Sequence, residues 1–422
     1  MKVLLSAKAC NPYLGSESYF GWSAVKCLAQ DHELWVLTGE RNRTDLNKAQ
    51  AEGLVPPNVH FIHIGQFKEW HPNPLLARMQ DWREYLRFLD ASLEVAKQWH
   101  AKENFDLVHH VTFTAWRVMS PLWQLGIPFV LGPICGDESF PFRLFPLLSP
   151  AGAAFEVARK ASNVLSRFSP GVRHGIRAAS HVFAITPEAE RLIGALRGSQ
   201  EGISTLSSGF YSDQKAAEFA RFAAKKNANG RLLLYAAGNL GGQKCVALAF
   251  QALARVKQRG VDFRYHLGSG GPEVAHLKKL AARLKLDREI IFGGSMKRSD
   301  YQQLLGDTHI YLLPSMRETV GLTMLEAMLA GCVPIVADSG GPRITVTEDC
   351  GYKIPVSNSS RIAEEIANII ITIDRNRQIV LDKGAKASNR IIERFTEAHY
   401  RRTVNAVYQA ATKSGRVTSP NV

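Results

Sequence analysis

No apolar run in this sequence approaches the roughly 20 consecutive residues that a membrane-crossing helix needs, so no spanning segment is expected. There is no CxxC pair. The six cysteines, Cys10, Cys27, Cys135, Cys245, Cys332 and Cys350, are scattered singly, which indicates neither a zinc site nor a disulfide framework and fits a reducing cytoplasm. Short-period repeats and low-complexity runs are missing, which argues against a solenoid or a disordered array. Also missing are a basic repeat with interleaved aromatics and any zinc-finger or RNA-binding signature, which counts against nucleic acid as a partner. The opening MKVLLSAKAC has only Val3, Leu4 and Leu5 at its apolar centre. That is too short for a secretory signal and reads as a first strand.

What is present is ample for two cores. A chain of 422 residues is too long for one ordinary domain, and its 45% hydrophobic share is that of a soluble globular protein. The net charge of +14 is unevenly spread: 21 basic residues stand against 19 acidic ones up to position 210, and 31 against 19 beyond it. A basic second half attracts an anionic ligand such as a nucleotide, and equally a nucleic acid or an anionic bilayer. Residues 141–180 hold Arg143, Arg159, Lys160, Arg167, Arg173 and Arg177 against the single acid Glu156, among apolar positions. Two readings stand there, a segment lying on a membrane surface and a solvated basic helix face.

Along the chain, short apolar strands alternate with helical stretches. KVLLSA, ELWVLT, VHFIHI, DLVHHV, PFVLG and HVFAIT are expected as strands, separated by helices over Tyr19–Gln30, Leu75–His100 and Pro187–Leu196. Residues 131–180, rich in proline and aromatics, read as an excursion from the sheet, with Gly136, Asp137 and Glu138 in reach of an acceptor. A crossing follows at ISTLSSGFYSD, with Gly209 as hinge. The alternation then restarts with RLLLYAAGNL, FRYHLGSGG, EIIFGG, HIYLLPS, VPIVAD and GYKIPV, and closes on amphipathic helices over Ala363–Thr372, Leu381–Glu393 and Glu397–Lys413. The expected fold class is α/β, with two doubly wound Rossmann-like domains facing each other across a cleft, 1–210 and 211–395, and a C-terminal helix and tail over 396–422 packing back on the first.

Two features follow first-domain strands, where ligands collect in such folds. After the first strand comes NPYLGSESYFGW, whose turn at Gly15 brings backbone amides close to a ligand phosphate or sugar; an ordinary strand-to-helix turn is the plainer reading. After the fourth comes the pair His109 and His110, one of which should face a pocket and exchange hydrogen bonds with a sugar hydroxyl. Trp22, Trp70, Trp82, Trp116 and Trp123 concentrate aromatics in this half, as stacking surface for an acceptor sugar or as core.

The second half is organised around LPSMRETVGLTMLEAMLAG, residues 313–331. A buried strand runs into a loop at Pro314, Gly321 breaks the chain, and Leu322–Leu329 continues as helix. Were Glu318 and Glu326 both helical they would lie about 12 Å apart at 1.5 Å per residue, beyond the roughly 5–9.5 Å of a glycosidase acid pair. That spacing suits gripping two ends of an extended polar ligand. Between them, the amides of Gly321, Leu322 and Thr323 lie at a helix N-terminus, where the dipole favours a phosphate. Glu326 as a simple intrahelical partner is the alternative.

The stretch PSMRETVGLTMLEAMLAGCVPIVADSGG, with seven residues between Glu318 and Glu326, resembles the signature of the retaining family 4 glycosyltransferases (glycosyl transferases group 1), which have the two-domain GT-B fold. GSESYFGW, DLVHH, GPICG, GNLGGQK, the turn at Phe292–Gly294 and the pair Gly340 and Gly341 extend the resemblance over essentially the whole chain. It implies that Glu318 holds hydroxyls of a donor sugar, Glu326 the nucleotide ribose, and the amides of Gly321–Thr323 the diphosphate. Lys244 would stabilise the leaving diphosphate. One histidine, His110 in preference to His109, would lie near the anomeric carbon, and Asn239 and Met296 would join the donor-binding residues. The family carries no metal, and the resemblance implies no cofactor beyond the nucleotide-sugar substrate. Three positions depart from the pattern: Asn239 stands where arginine is usual, Cys245 where glycine is, and Ile344 where glutamate is. The expectation is a retaining, metal-independent hexosyltransferase moving a sugar from a nucleotide sugar to a saccharide or lipid-linked acceptor in cell-surface polysaccharide or glycolipid assembly. It would act in the cytoplasm, with peripheral contact to the inner face of an anionic plasma membrane. A sugar phosphorylase, a nucleotide-sugar epimerase and a non-catalytic nucleotide-sugar-binding protein are the alternatives.

Overall fold

The structure is a computed structural model that describes residues 1–66 and 74–413; Trp70 and the tail beyond Lys413 lie outside the described residues. The chain divides into two compact units, one of residues 1–137, 162–210 and 400–422, the other of 138–161 and 211–399. In chain order the first part carries β1 (Lys2–Ala7), α1 (Glu17–Leu28), β2 (Glu33–Gly39), α2 (Arg43–Ala51), β3 (Val59–Ile64), α3 (Pro74–Glu103), β4 (Leu107–Thr112), β5 (Phe129–Ile134), α4 (Pro150–Ser166), α5 (Pro170–Ala178), β6 (His181–Ala184), α6 (Pro187–Arg197) and β7 (Ile203–Thr205). There follow α7 (Asp213–Ala223), β8 (Leu232–Ala237), α8 (Val246–Gln258), β9 (Phe263–Gly268), α9 (Val274–Arg283), β10 (Ile290–Gly294), α10 (Arg298–Asp307), β11 (Ile310–Leu313), α11 (Leu322–Leu329), β12 (Val333–Ala337), α12 (Gly340–Thr345), β13 (Tyr352–Ile354), α13 (Ser359–Arg375), α14 (Gln378–Arg394) and α15 (Glu397–Lys413).

Each unit holds one all-parallel sheet. The first has the order β3-β2-β1-β4-β5-β6-β7 and the second β10-β9-β8-β11-β12-β13. Continuous apolar runs such as IYLL and VPIVA are buried on both faces, as parallel strands flanked by helices must be. In both sheets the order reverses, at β1/β4 and at β8/β11. Such a switch point leaves a crevice at the C-terminal strand ends because the crossover helices on either side lie on opposite faces.

The excursion expected over 131–180 contains two helices, α4 and α5, and α2 adds a third that the alternation did not predict. In α2 the apolar residues are too sparse to pattern clearly against a core. Helix α15 buries Tyr400, Val404 and Tyr408 on one face, at the four-residue spacing of a helix, in a cluster with Phe20 and Phe210.

The histidine pair does not follow the fourth strand but lies inside it, since β4 runs on to Thr112. Alternation sends the two rings to opposite faces. His109 Nε2 lies 2.7 Å from the Gly132 carbonyl, which can only accept, so Nε2 carries the proton and Nδ1 accepts from the Tyr408 hydroxyl at 2.7 Å. His110 Nδ1 meets Ser6 Oγ at 3.0 Å. Burial holds their pKa values down to about 3 and about 4. An unfolded imidazole titrates near 6.5, so between that value and about 4 the unfolded chain binds more protons. Stability is therefore complete above about pH 6.5 and falls as the pH drops, by roughly 2 kcal/mol per histidine at pH 5. Urea unfolding at pH 7.5 and pH 5 reads this directly; equal stability at the two would contradict it.

Candidate active site

The loops that follow β8 and β11, on the two sides of the second switch point, are tied together by backbone. Met316 N donates to the Gln243 carbonyl at 3.0 Å, and Ser315 Oγ donates to the same oxygen at 3.1 Å. This brings Lys244 onto Glu318, and the ammonium donates to Glu318 Oε2. Both side chains are mostly buried, 14% and 15% exposed, so the pair is only partly screened. Lys244 ends a short 3₁₀ turn, Gly242–Lys244, and α8 starts at Val246. Cys245 between them is left-handed, with φ 50°, a conformation that glycine would hold without strain. Burial pushes its thiol up to about 12, so it stays protonated.

Helix α11 begins at Leu322, as the sequence pattern predicts. Gly321 is its N-cap at φ 75° and offers no side-chain cap to the first-turn amides, leaving the positive end of the helix open for an anion. A Cβ on Gly321 would lie 3.5 Å from Glu318 Cγ, and one on Gly238 3.7 Å from Lys244 Nζ, so glycines line both sides of the pair. Gly340 and Gly341 close the loop from behind, where the Gly341 amide donates to the Glu318 carbonyl at 2.9 Å. Thr323 turns its hydroxyl inward, to the Ala237 carbonyl at 3.2 Å and the Tyr311 hydroxyl at 3.1 Å, which pins α11 to the end of β8. Leu322 is 41% exposed, and its carbonyl accepts from the Tyr211 hydroxyl at 2.9 Å.

Glu326 is no simple intrahelical partner. Its Oε2 accepts from the Tyr301 hydroxyl at 2.7 Å, and its Oε1 lies 3.3 Å from the Lys215 ammonium. Burial and the carboxylate together push the Tyr301 phenol far up, so it remains a donor. Neither Tyr301 nor Lys215 is picked out by the sequence. Each lies on a helix with no distinguishing motif, and their convergence on Glu326 is a tertiary fact.

Asn239 is exposed and presents no charge where the family pattern has arginine. Met296 is half-buried, with its Cε over Gly293, where a Cβ would come within 2.6 Å. Gly15, His109 and His110 belong to the first unit. Gly15 is exposed and lines a cavity of about 770 Å³ with Lys8, Glu17, Arg41, Asp81 and Glu84. Lys8 pairs with Asp81 at 3.0 Å and Arg41 with Glu84 at 3.1 Å, so these two cations are already neutralised. Trp22 and Trp116 are core residues, whereas Trp82 is 40% exposed. Among the described residues no group of three or more His, Cys, Asp or Glu side chains is placed to hold a metal ion.

Residues 217–382, which contain Lys244, Glu318, Glu326 and Tyr301 but not Tyr211 or Lys215, match the family Glycosyl transferases group 1. This segment of the chain carries the sequence of that family. A similar relative is the putative colanic acid biosynthesis glycosyltransferase WcaL of Escherichia coli (strain K12), 24% identical over 265 residues, 56% of this chain and 64% of the relative. A second is the GDP-mannose-dependent alpha-(1-6)-phosphatidylinositol dimannoside mannosyltransferase of Mycobacterium tuberculosis (strain ATCC 25177 / H37Ra), 28% identical over 148 residues, 35% of this chain and 38% of the relative. The match thus spans less than two thirds of either relative's length. Among solved structures, Anabaena Alr3699/HepE in complex with UDP is similar over 97% of this chain and 100% of that chain, with a TM-score of 0.62 at 17% identity. That likeness is one of fold, the GT-B arrangement of two Rossmann-like domains.

Proposed function

We propose that this protein transfers a glycosyl residue from a nucleotide-sugar donor to a hydroxyl of a saccharide or glycolipid acceptor, with retention of anomeric configuration. The observation that carries the reading is the Lys244–Glu318 pair held at the sheet's switch point beside the open N-terminus of α11. A donor diphosphate there meets an ammonium and helix amides, which stabilise the charge that grows on it as the glycosidic bond lengthens. Glu318, released from Lys244 by the phosphate, takes hydroxyls of the transferred sugar. Glu326 takes the ribose, whose hydroxyl replaces Lys215 at Oε1 while Tyr301 holds the other oxygen in place.

The step balances without a protein nucleophile. The bond from the anomeric carbon to the phosphate oxygen breaks, the bond to the acceptor oxygen forms on the same face, and the acceptor proton passes to the leaving phosphate. Homology to a putative colanic acid biosynthesis glycosyltransferase supports cell-surface polysaccharide or glycolipid assembly as the setting.

The exposed Asn239 favours a second reading, a protein that binds nucleotide sugars without turning them over. A donor panel separates the two. UDP and GDP-mannose, taken from the relatives, and UDP-glucose are the first members to test by thermal shift, because a ligand that binds only the folded state raises its stability. One nucleotide sugar should bind and release its nucleoside diphosphate slowly. Asn239→Arg should tighten that binding roughly tenfold by restoring a bidentate phosphate clamp. Tight binding without release, with any acceptor and in the Asn239→Arg protein too, would establish the second reading; no binding at all would end both.

A further inference from the structure

Four tyrosines surround the switch point of the second sheet: Tyr235 on β8, Tyr265 on β9, Tyr311 on β11, and Tyr301 on α10, which leads into β11. A phenol oxygen taken out of water needs a hydrogen-bond partner, because burial without one costs its hydration. Three of the four have one inside the protein. Tyr265 donates to the Leu312 carbonyl at 2.7 Å, Tyr301 donates to Glu326 Oε2 at 2.7 Å, and the Tyr311 hydroxyl meets that of Thr323 at 3.1 Å. Tyr235 has none among the described residues, although only 2% of it is exposed.

The unpaired oxygen reaches the end of β9. There Gly268, the last residue of that strand, leaves it uncovered: a Cβ on this glycine would collide with the Tyr235 hydroxyl and lie 3.1 Å from Ala237 Cβ. Backbone bonds fix the rim. Leu240 N donates to the Gly270 carbonyl at 2.9 Å and Ser269 N to the Gly294 carbonyl at 2.7 Å, so the loops after β8, β9 and β10 form one continuous edge. Ring to ring, Tyr235 lies 5.9 Å from Tyr301, the residue that holds Glu326. Burial first, and then the charge of Glu326, push the Tyr235 phenol up, so it keeps its proton. An unpaired donor therefore stands close to a carboxylate that can only accept.

That combination fits a vicinal diol. One hydroxyl donates to the carboxylate, and the oxygen of its neighbour accepts from the phenol; a nucleobase edge offers no such adjacent pair. We infer, resting on the donor site proposed above, that the Tyr235 hydroxyl binds the second ribose hydroxyl of the nucleotide beside Glu326, so that the site selects ribonucleotides over their deoxy counterparts. A site built to bond a hydroxyl rejects the analogue that lacks it, since the protein group is then left unpaired. The empty protein bears that unpaired group at a cost in stability, as functional sites commonly do.

The test is calorimetric titration of the full chain and of Tyr235→Phe with UDP, GDP and ADP. Each is used in three forms, with the full ribose and lacking one or the other of its two hydroxyls. The substitution should weaken the binding ribonucleotide roughly fivefold, the worth of one net hydrogen bond. For one of its two deoxy forms the same substitution should change affinity by less than about twofold, because the hydroxyl that Tyr235 meets is already gone. Without ligand, Tyr235→Phe should unfold at the same temperature as the unmodified chain or higher, since no internal bond is lost. Affinity unchanged by the substitution, or a loss of equal size with the ribonucleotide and both deoxy forms, would overturn the inference while leaving the donor site standing. If none of the three diphosphates binds the unmodified chain, the donor reading fails and this inference falls with it.

Discussion

Lys244→Ala should lower donor turnover by about 10²–10³, the range for removing one preorganised electrostatic donor from a site where charge develops. The ammonium is 14% exposed and fixed by the short turn before α8, so it needs no reorganisation when the diphosphate begins to leave. Two effects mix in this substitution, because it also strands Glu318 without its cation. Adding Glu318→Gln separates them. If Lys244 merely neutralises Glu318, the double substitution recovers folding and turns over as fast as Glu318→Gln alone. If Lys244 serves the diphosphate, turnover stays low and nucleotide release is slow with every donor. The measurement is the rate of nucleoside diphosphate release at saturating donor, and a Lys244→Ala rate within threefold of the original would remove Lys244 from the phosphate site.

The second large effect is expected at Gly341. A Cβ there would lie 1.8 Å from the Thr319 carbonyl oxygen, and one at Gly340 2.2 Å from the Glu318 oxygen, where an ordinary contact is twice as long. Both obstacles are backbone, so no side chain can swing away. Gly341→Ala must push the 318–321 loop outward by more than an ångström, against the bonds that Met316, Ser315 and Ser339 make across it. We expect a loss of about 3 kcal/mol or more in urea unfolding, at the high end for overpacking, together with loss of donor binding. Gly15→Ala is the control. It meets nothing within 4 Å and should change stability by less than about 0.5 kcal/mol. Equal stability of the two variants would mean that the glycine pair does not set the position of Glu318.

The departures from the family pattern bear on the same loop. Cys245 adopts a left-handed φ where glycine would rest without strain, and Ile344 sits in α12 with its carbonyl taken by Arg390 at 2.7 Å. Nothing in the structure explains Ile344 as a replacement for glutamate. Asn239 differs from these two, since there the side chain is exposed and what changes is charge at the candidate diphosphate position.

How much of this was legible beforehand depends on range. Local order was readable: β11, the break at Gly321, α11 over Leu322–Leu329 and α15 over Glu397–Lys413 all follow from runs and periodicities a dozen residues long. The short segment around Lys244 was less so. A helix start and a 3₁₀ turn share the same residues, and only the neighbouring loop decides between them. The histidines show a different limit. Two adjacent rings in an apolar strand look alike in sequence, yet the strand's true end at Thr112 buries both, and Tyr408, almost 300 positions away, occupies one of them.

By itself the sequence determined the two parallel sheets, the break at Gly321, the uncapped helix after it and the placement of Glu318 and Glu326 on either side of that terminus. These rest on period, on glycine's freedom and on the dipole of any helix end, all of which are local. Only the tertiary structure decided what each carboxylate touches: Lys244 on Glu318, Tyr301 and Lys215 on Glu326. The physical reason is common to both. A side chain's partner is chosen by which strands become neighbours at the switch point and which backbone hydrogen bonds hold their loops, and that choice joins residues about 25 to 110 positions apart that carry no mark of each other.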